Sequence, residues 1–489
     1  MTYFYPICFI HLKLAIMKFK LLVLPFLFFT LSVFAGNPLE NFINNPIMEN
    51  ANISLLVKDL GTNKTLYQFR SNNSTIPASI MKLVTTATAL ELLGPKFCFE
   101  TKLEIDGRIN AEGVLNGNLY IHGGGDPTLG SEKMGNLNFL TKWVETVKKA
   151  GIKKITGQIV ADATLYDDQG VNPKWTWEDV GNYYAAGAYG ISYMDNTYQL
   201  VLRSGIEGST PEILRVIPDI PALTFENHLT STTIAFDSAY FYGAPHSYLR
   251  SIHGEIPANR MEYIIKGSIP NPGLLLAEHF QNQLIQNGIS IYQLPTDIVT
   301  KSTERRVILV QQSPPLSEII KETNIHSNNG FAEQIFRYLA LKKSTVASST
   351  DAVQVVRAFW KSKGLPINQL FNYDGCGLSP MDAVSAQFLV DLLIYMQTIS
   401  PNKEVFINSL PVSGKSGTLT NFLDKTPLQG KVHAKSGTIS GVKSYAGYIE
   451  NNNKTYVFSI LVNHADGTSK AVTRRIEEFL LQLSENSNQ

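Results

Sequence analysis

Pro77-Ala78-Ser79-Ile80-Met81-Lys82-Leu83-Val84-Thr85-Thr86 is the stretch whose reading decides the fold. It opens an apolar helix expected from about Pro77 to Leu93, stopped by Gly94-Pro95. From Ile80 to Leu90 the only charged side chain is Lys82. A spacing of three residues puts Ser79 and Lys82 on one helical face, one turn apart, so the ammonium can reach the hydroxyl. Apolar surroundings disfavour the charged amine and lower its pKa. A partly neutral lysine can take the proton from Ser79 and make it a nucleophile. The pattern alone is weak: it recurs at Ser400–Lys403 and Ser440–Lys443, and a serine at a helix start is by default a cap. Ser400 precedes the turn Pro401-Asn402 and Ser440 leads into a strand, so only Ser79 opens an apolar helix.

Outward from this helix the pattern changes twice. Before it, Ile53–Val57 and Thr65–Phe69 read as paired strands turned at Gly61-Thr62-Asn63. After it, 97–296 reads as short strands and turns rich in Gly, Asn and Pro. Helical spacing returns at Ser317–Leu341 and Val353–Lys363. The chain then ends in a hairpin, Lys443–Glu450 with Tyr456–Asn463, and a helix at Lys470–Leu483. Helix-rich ends around a strand-rich middle suggest an insertion, with both ends folding into one domain. A length of 489 residues accommodates about two to four domains.

Two further elements carry chemistry. Ser327-Asn328-Asn329 is a polar stretch leading into Phe331-Ala332-Glu333. Its first hydroxyl can relay a proton, and the Asn329 amide can hold a peptide group, although a helix cap is the ordinary use of such residues. Lys435-Ser436-Gly437-Thr438 precedes an alternating strand; a lysine, small hydroxyls and a glycine there offer an approachable backbone and a cation for a carboxylate. The same four letters occur at Lys415-Ser416-Gly417-Thr418, but that copy leads into a loop.

Ser-x-x-Lys, Ser-x-Asn and Lys-[Ser/Thr]-Gly in this order resemble the penicillin-binding proteins and serine β-lactamases. The stretch from Pro77 to Thr86 is similar to the nucleophile helix of class C low-molecular-mass penicillin-binding proteins, the D-Ala-D-Ala carboxypeptidase/endopeptidases. So are Gly124-Gly125-Asp126-Pro127-Thr128-Leu129, Ser313-Pro314-Pro315-Leu316, Asp374-Gly375-Cys376-Gly377-Leu378-Ser379 and Leu410-Pro411-Val412-Ser413-Gly414. The resemblance runs from about residue 50 to 465 and marks Lys415 as a decoy. It implies an α+β fold: a serine β-lactamase/DD-peptidase-like domain, an antiparallel sheet with helices on both faces, formed by 36–96 and 297–489. Two strand-rich inserts are expected, one from 97–165 and 240–296, the other from 166–239. It also implies catalytic Ser79, Lys82, Ser327 and Lys435, with Asn329, Ser436, Gly437 and Thr438 binding substrate. Trp175-Thr176-Trp177-Glu178-Asp179 resembles a segment that sets an acid, here Asp179, near a side-chain amine of the substrate. Two departures stand out: Ser436 replaces the commoner Thr, and Cys376, expected to be a buried inert thiol, stands where Ser is usual.

The implied activity is acyl transfer on peptidoglycan stem peptides, with β-lactams as covalent inhibitors and no cofactor or metal. A β-lactamase or esterase on the same fold, and a non-catalytic cell-wall-binding module, are the alternatives; the long insert and Ser327 argue against the first, the three retained motifs against the second. Lys18 and Lys20, the apolar run Leu21–Phe34 and Val33-Phe34-Ala35 read as a signal peptide over 1–35, with Met17 an alternative start; a transmembrane anchor is the competing reading, against which the short run and the flanking cleavage pattern argue. Export to a bacterial periplasm or cell wall follows, with membrane association weak or absent after cleavage. Removing 1–35 takes out Lys13, Lys18 and Lys20 and no acid, turning a net charge of +1 into −2. That balance gives no footprint for nucleic acid. Three Cys are too few for a disulfide scaffold. His-Glu-x-x-His and Gly-x-Ser-x-Gly are both absent, which removes the ligand set of a zinc peptidase and the elbow of an α/β-hydrolase.

Overall fold

The structure is a computed structural model that describes residues 37–299 and 304–486; the expected signal peptide lies outside them. Both ends of the described chain build one antiparallel sheet. Its strands are β1 (Asn52–Asp59), β2 (Thr65–Phe69), β3 (Val432–Ile439), β4 (Val442–Asn451) and β5 (Lys454–Asn463), in the order β2-β1-β5-β4-β3. β1 lies against β5 with Ile53 opposite Val462, so segments about 400 residues apart share a ladder. The β4–β5 hairpin turns at Asn452 and Asn453, both at positive φ, as a two-residue turn of matching twist requires.

Both faces of this sheet are covered, which is why Ile53–Val57 of β1 and Tyr456–Val462 of β5 are apolar runs broken only by the buried Ser54 and Ser459, rather than alternating ones. Leu56, Val457 and Leu461 point to one side, where they meet α1 (Met81–Leu93), α2 (Leu316–Ile325), α3 (Asn329–Leu339) and α4 (Ala386–Thr398) in one core. Leu55, Val57, Phe458 and Ile460 point to the other, against Ile476, Phe479 and Leu480 of α5 (Ser469–Asn486). α1 is buried at every residue from Met81 to Leu90, the environment its uniform apolarity calls for.

The middle of the chain has its own core, from Leu103 to Ile291. One four-stranded sheet there comprises Glu100–Ile105, Leu119–His122, Ile159–Asp162 and Arg306–Gln312; pairing with Glu100–Ile105 thus continues beyond 296. Two three-stranded sheets follow within 197–268. The expectation of strands and turns alone fails at Phe139–Lys149 and Pro272–Gln286, which are helices. Phe139, Trp143, Val144 and Val147 are the buried stripe of the first. The helical run expected at Ser317–Leu341 is also broken, at Ser327 between α2 and α3.

Candidate active site

Ser79 sits in a single 3-10 turn, Ala78–Ile80, that feeds α1. Ala78 has φ 50°, a conformation costing a non-glycine residue roughly 1–3 kcal/mol. Gly377 packs over it: a Cβ there would come 1.9 Å from the Ala78 carbonyl oxygen. One helical turn on, Lys82 is fully buried. Its Nζ donates to Ser79 Oγ at 2.9 Å, Asn329 Oδ1 at 2.7 Å and the Cys376 carbonyl at 2.8 Å, the three bonds an ammonium can make. Burial pushes its pKa below the usual lysine value, with the Asp374 carboxylate pulling the other way.

Lys435 on β3 is the second buried amine. Its Nζ donates to Ser327 Oγ at 2.9 Å and to the Ser436 carbonyl at 2.8 Å. Burial first, then the charges of Lys82 and Lys443, hold it well below the usual lysine range. Two buried lysines that repel each other favour a state in which one amine is neutral. Ser327 reaches Lys435 because its backbone is left-handed, φ 58°. The polar stretch does cap α3, but through Asn328, whose Oδ1 accepts from Phe331 N at 3.2 Å. Ser327 is thereby left out of the helix and faces the site. Asn329, the first residue of α3, accepts from Lys82 and donates through Nδ2 to the Tyr184 carbonyl at 2.9 Å.

β3 runs beside the Ser79 turn, and its glycine allows the approach. A Cβ on Gly437 would meet Ser444 Oγ at 2.3 Å, the Pro77 carbonyl oxygen at 2.6 Å and Ser79 N at 3.0 Å. Ser436 Oγ donates to Thr418 Oγ1 at 2.8 Å, and Thr438 Oγ1 accepts from Lys443 Nζ at 2.8 Å. Lys415 is exposed, yet Thr418 of the same four letters joins the site. Asp179 stands at the rim, accepting from Thr176 Oγ1 at 2.6 Å. Burial and then Asp179 raise the Tyr184 phenol, so the acid lies beside the residue that holds Asn329. A cavity of about 350 Å³ opens here, with Ser327, Asn329, Tyr184, Lys133 and Asp195 in its walls.

Behind Lys82 is a carboxylate scaffold that spacing alone does not reveal. Asp374 Oδ1 accepts from the backbone of Cys376 and Gly377, at 3.0 and 2.6 Å, and Oδ2 from that of Leu378 and Ser379, at 3.0 and 2.8 Å. Trp175 Nε1 adds a fifth donor at 2.8 Å, tying the middle segment to this loop. The loop in turn presents the Cys376 carbonyl to Lys82. Buried Glu333 accepts from Gly375 N at 2.7 Å; burial, then the charge of Asp374, raise it to about 8, so it is protonated at neutral pH. Cys376 is buried and its thiol pushed up, as expected of an inert thiol. Glu333, Asp374 and Cys376 approach one another, but a carboxylate saturated with N–H donors and a protonated thiol make a poor cation site. The readable trace of the scaffold was Asp374-Gly375, an Asp-Gly turn signal whose acid turns inward.

Residues 36–486 match the family described as "D-Ala-D-Ala carboxypeptidase 3 (S13) family". The chain is 27% identical to the D-alanyl-D-alanine carboxypeptidase of Actinomadura sp. (strain R39), over 90% of this chain and 84% of that one. It is 23% identical to D-alanyl-D-alanine carboxypeptidase DacB of Haemophilus influenzae, over 94% of each. The fold is that of the crystal structure of penicillin binding protein 4 (dacB) from Haemophilus influenzae: TM-score 0.80 at 22% identity, covering 92% of this chain and 99% of the other. A structure of that protein complexed with a β-lactam gives 0.73, at 22% identity over 93% and 99%.

Proposed function

The chain belongs to the D-Ala-D-Ala carboxypeptidase 3 (S13) family, and on that premise we propose that it is a serine peptidase acting on the D-Ala-D-Ala end of peptidoglycan stem peptides through an ester on Ser79. The observation that carries the reading is the buried Lys82 amine 2.9 Å from Ser79 Oγ. Neutral Lys82 takes the Ser79 proton as Oγ attacks the penultimate D-Ala carbonyl. Backbone N–H groups of Ser79 and Thr438 stabilise the oxyanion. Ser327, held by Lys435, passes a proton to the departing D-Ala amine. Asn329 orients the peptide, while Ser436, Gly437 and Thr438 form the strand edge that receives the carboxylate. Water then hydrolyses the ester.

Asp179 faces the free ammonium of a diamino acid in the stem, which extends the activity to D-Ala-to-diamino-acid cross-links. β-Lactams acylate the same serine. The catalytic domain is discontinuous, opened by two inserts, and 1–35 directs export to the periplasm or cell wall. Among the described residues, no helix is long and apolar enough to cross a membrane. Incubation with purified muropeptides tests the reading: free D-Ala is expected from pentapeptide, and split dimers from cross-linked material. Equal D-Ala release by Ser79→Ala would contradict it.

A further inference from the structure

The strands Thr224–Thr232, Tyr240–Tyr242 and Leu249–Pro257 form a three-stranded sheet with two unlike faces. One buries Leu229, Phe241, Ile252 and Ile256. On the other, register sets His228 opposite His253, His253 opposite Tyr240, and Tyr242 opposite Ser251, so the four rings share one surface. They form a row. His228 and His253 stack at 4.7 Å, Tyr242 meets His253 edge-on at 5.5 Å, and Trp177 stacks on Tyr242 at 6.5 Å and 25°. Trp177 is 60% exposed, and both histidines are exposed. Polar groups are interleaved: Ser251 Oγ lies 2.9 Å from His253 Nε2, and Glu226 is paired in register with Ser251.

The row leads into the cleft. Phe241, between Tyr240 and Tyr242, donates its N–H to Asn182 Oδ1 at 3.0 Å, and the residues that follow Asn182, Tyr183 and Tyr184, line the cavity where the Tyr184 carbonyl holds Asn329. A surface of exposed rings alternating with hydroxyl, carboxylate and imidazole groups suits a ligand with flat C–H faces and many hydroxyls, not the dehydrated apolar centre of a protein interface.

We propose that this face, with Trp177, is a saccharide platform that takes the amino-sugar strand whose peptide branch enters the cleft at Tyr184 and Asn329. The inference rests on the reading of the site above, since a stem peptide is borne on such a strand. The pyranose rings lie on Trp177, Tyr242 and His253, and their hydroxyl and acetamido groups bond to Ser251 and Glu226.

The probe is a peptide-free β-1,4-linked N-acetylglucosamine tetramer added to the whole chain. Of the four tryptophans, Trp143, Trp175 and Trp360 are buried, so a change in emission on adding the tetramer reports Trp177. A saturable change is expected in wild type, weakened roughly two- to tenfold in Tyr242→Ala, as loss of one aromatic contact implies. Trp177→Ala, followed by calorimetry, is expected to bind more weakly still. In that variant KM should rise for glycan-bearing muropeptides and stay unchanged for free stem peptides. Penicillin labelling keeps the two claims apart. A chain that takes the label but shows no saturable saccharide binding and no KM split overturns the platform alone. Self-association of the chain, abolished by Trp177→Ala and insensitive to the tetramer, overturns it in favour of a second copy on this face. A wild-type chain that takes no label removes the reading and the platform together.

Discussion

Glu333→Gln separates the charge of the carboxyl behind Lys82 from its shape. Burial, with the charge of Asp374, raises folded Glu333 to about 8, whereas an unfolded glutamate titrates near ~4.3. Between those values the folded chain holds a proton that the unfolded chain has released. Stability therefore falls as pH rises, by about 1.4 kcal/mol per pH unit, until the folded carboxyl ionises. Glutamine imitates the protonated form: its oxygen can accept from Gly375 N, as Glu333 Oε2 does at 2.7 Å. At pH 5, about 0.7 pH units above the unfolded value, the variant should thus lead by only roughly 1 kcal/mol. Asp126, raised by burial to about 6, and Asp382, also raised by burial, add slopes of their own, which largely cancel in the difference. Denaturant melts of both proteins from pH 5 to 9 measure that difference. The expected gap favours the variant, grows by up to about 1.4 kcal/mol per unit and levels off once Glu333 ionises. A variant several kcal/mol weaker at pH 5–7, or a gap that closes with rising pH, would refute the reasoning, because Glu333 would then be working as an anion.

Three further outcomes follow from the site. Ser327→Gly relieves a left-handed serine worth roughly 1–3 kcal/mol, so melting temperature should hold or rise while D-Ala release falls about a hundredfold or more with the relay hydroxyl gone; a parallel fall in both would point to a purely structural Ser327. Gly437→Ala drives a methyl into Pro77 O and Ser79 N, and penicillin acylation should slow about tenfold or more, as overpacking of roughly 1–3 kcal/mol implies; an unchanged rate would show that β3 does not need this approach. Because burial lowers Lys82, the acylation rate should climb as pH rises through a midpoint below 10.5. Lys82→Arg, which stays charged, should abolish that climb.

Much of this was readable where local pattern and tertiary role agree. The β1–β2 pair, the buried α1 and the C-terminal hairpin follow from apolar spacing and turn residues, because each is built from near neighbours. Phe139–Lys149 carries a helical stripe, yet amid Gly- and Asn-rich strands it reads as strand until its buried face is seen. The break at Ser327 has a local trace in the cap letters Ser327-Asn328-Asn329, and Asn328 does cap the helix, but what holds the serine toward the site is Lys435, 108 residues away. Asp374 shows the same limit. Its letters suggest a turn, but only folding brings Trp175 and four backbone donors to its oxygens. Of the site residues expected from the motifs, Ser79, Lys82 and Asn329 meet directly, as do Ser327 and Lys435. Thr418, Lys443 and Tyr184 enter through contacts that spacing cannot encode.

The central claim is that Ser79 Oγ is the atom acylated. Intact and peptide mass spectrometry of the whole chain after labelled penicillin tests it most directly. One adduct on the peptide holding Ser79, absent from Ser79→Ala, is the predicted result. Equal labelling of both proteins, or an adduct on another residue, would contradict it.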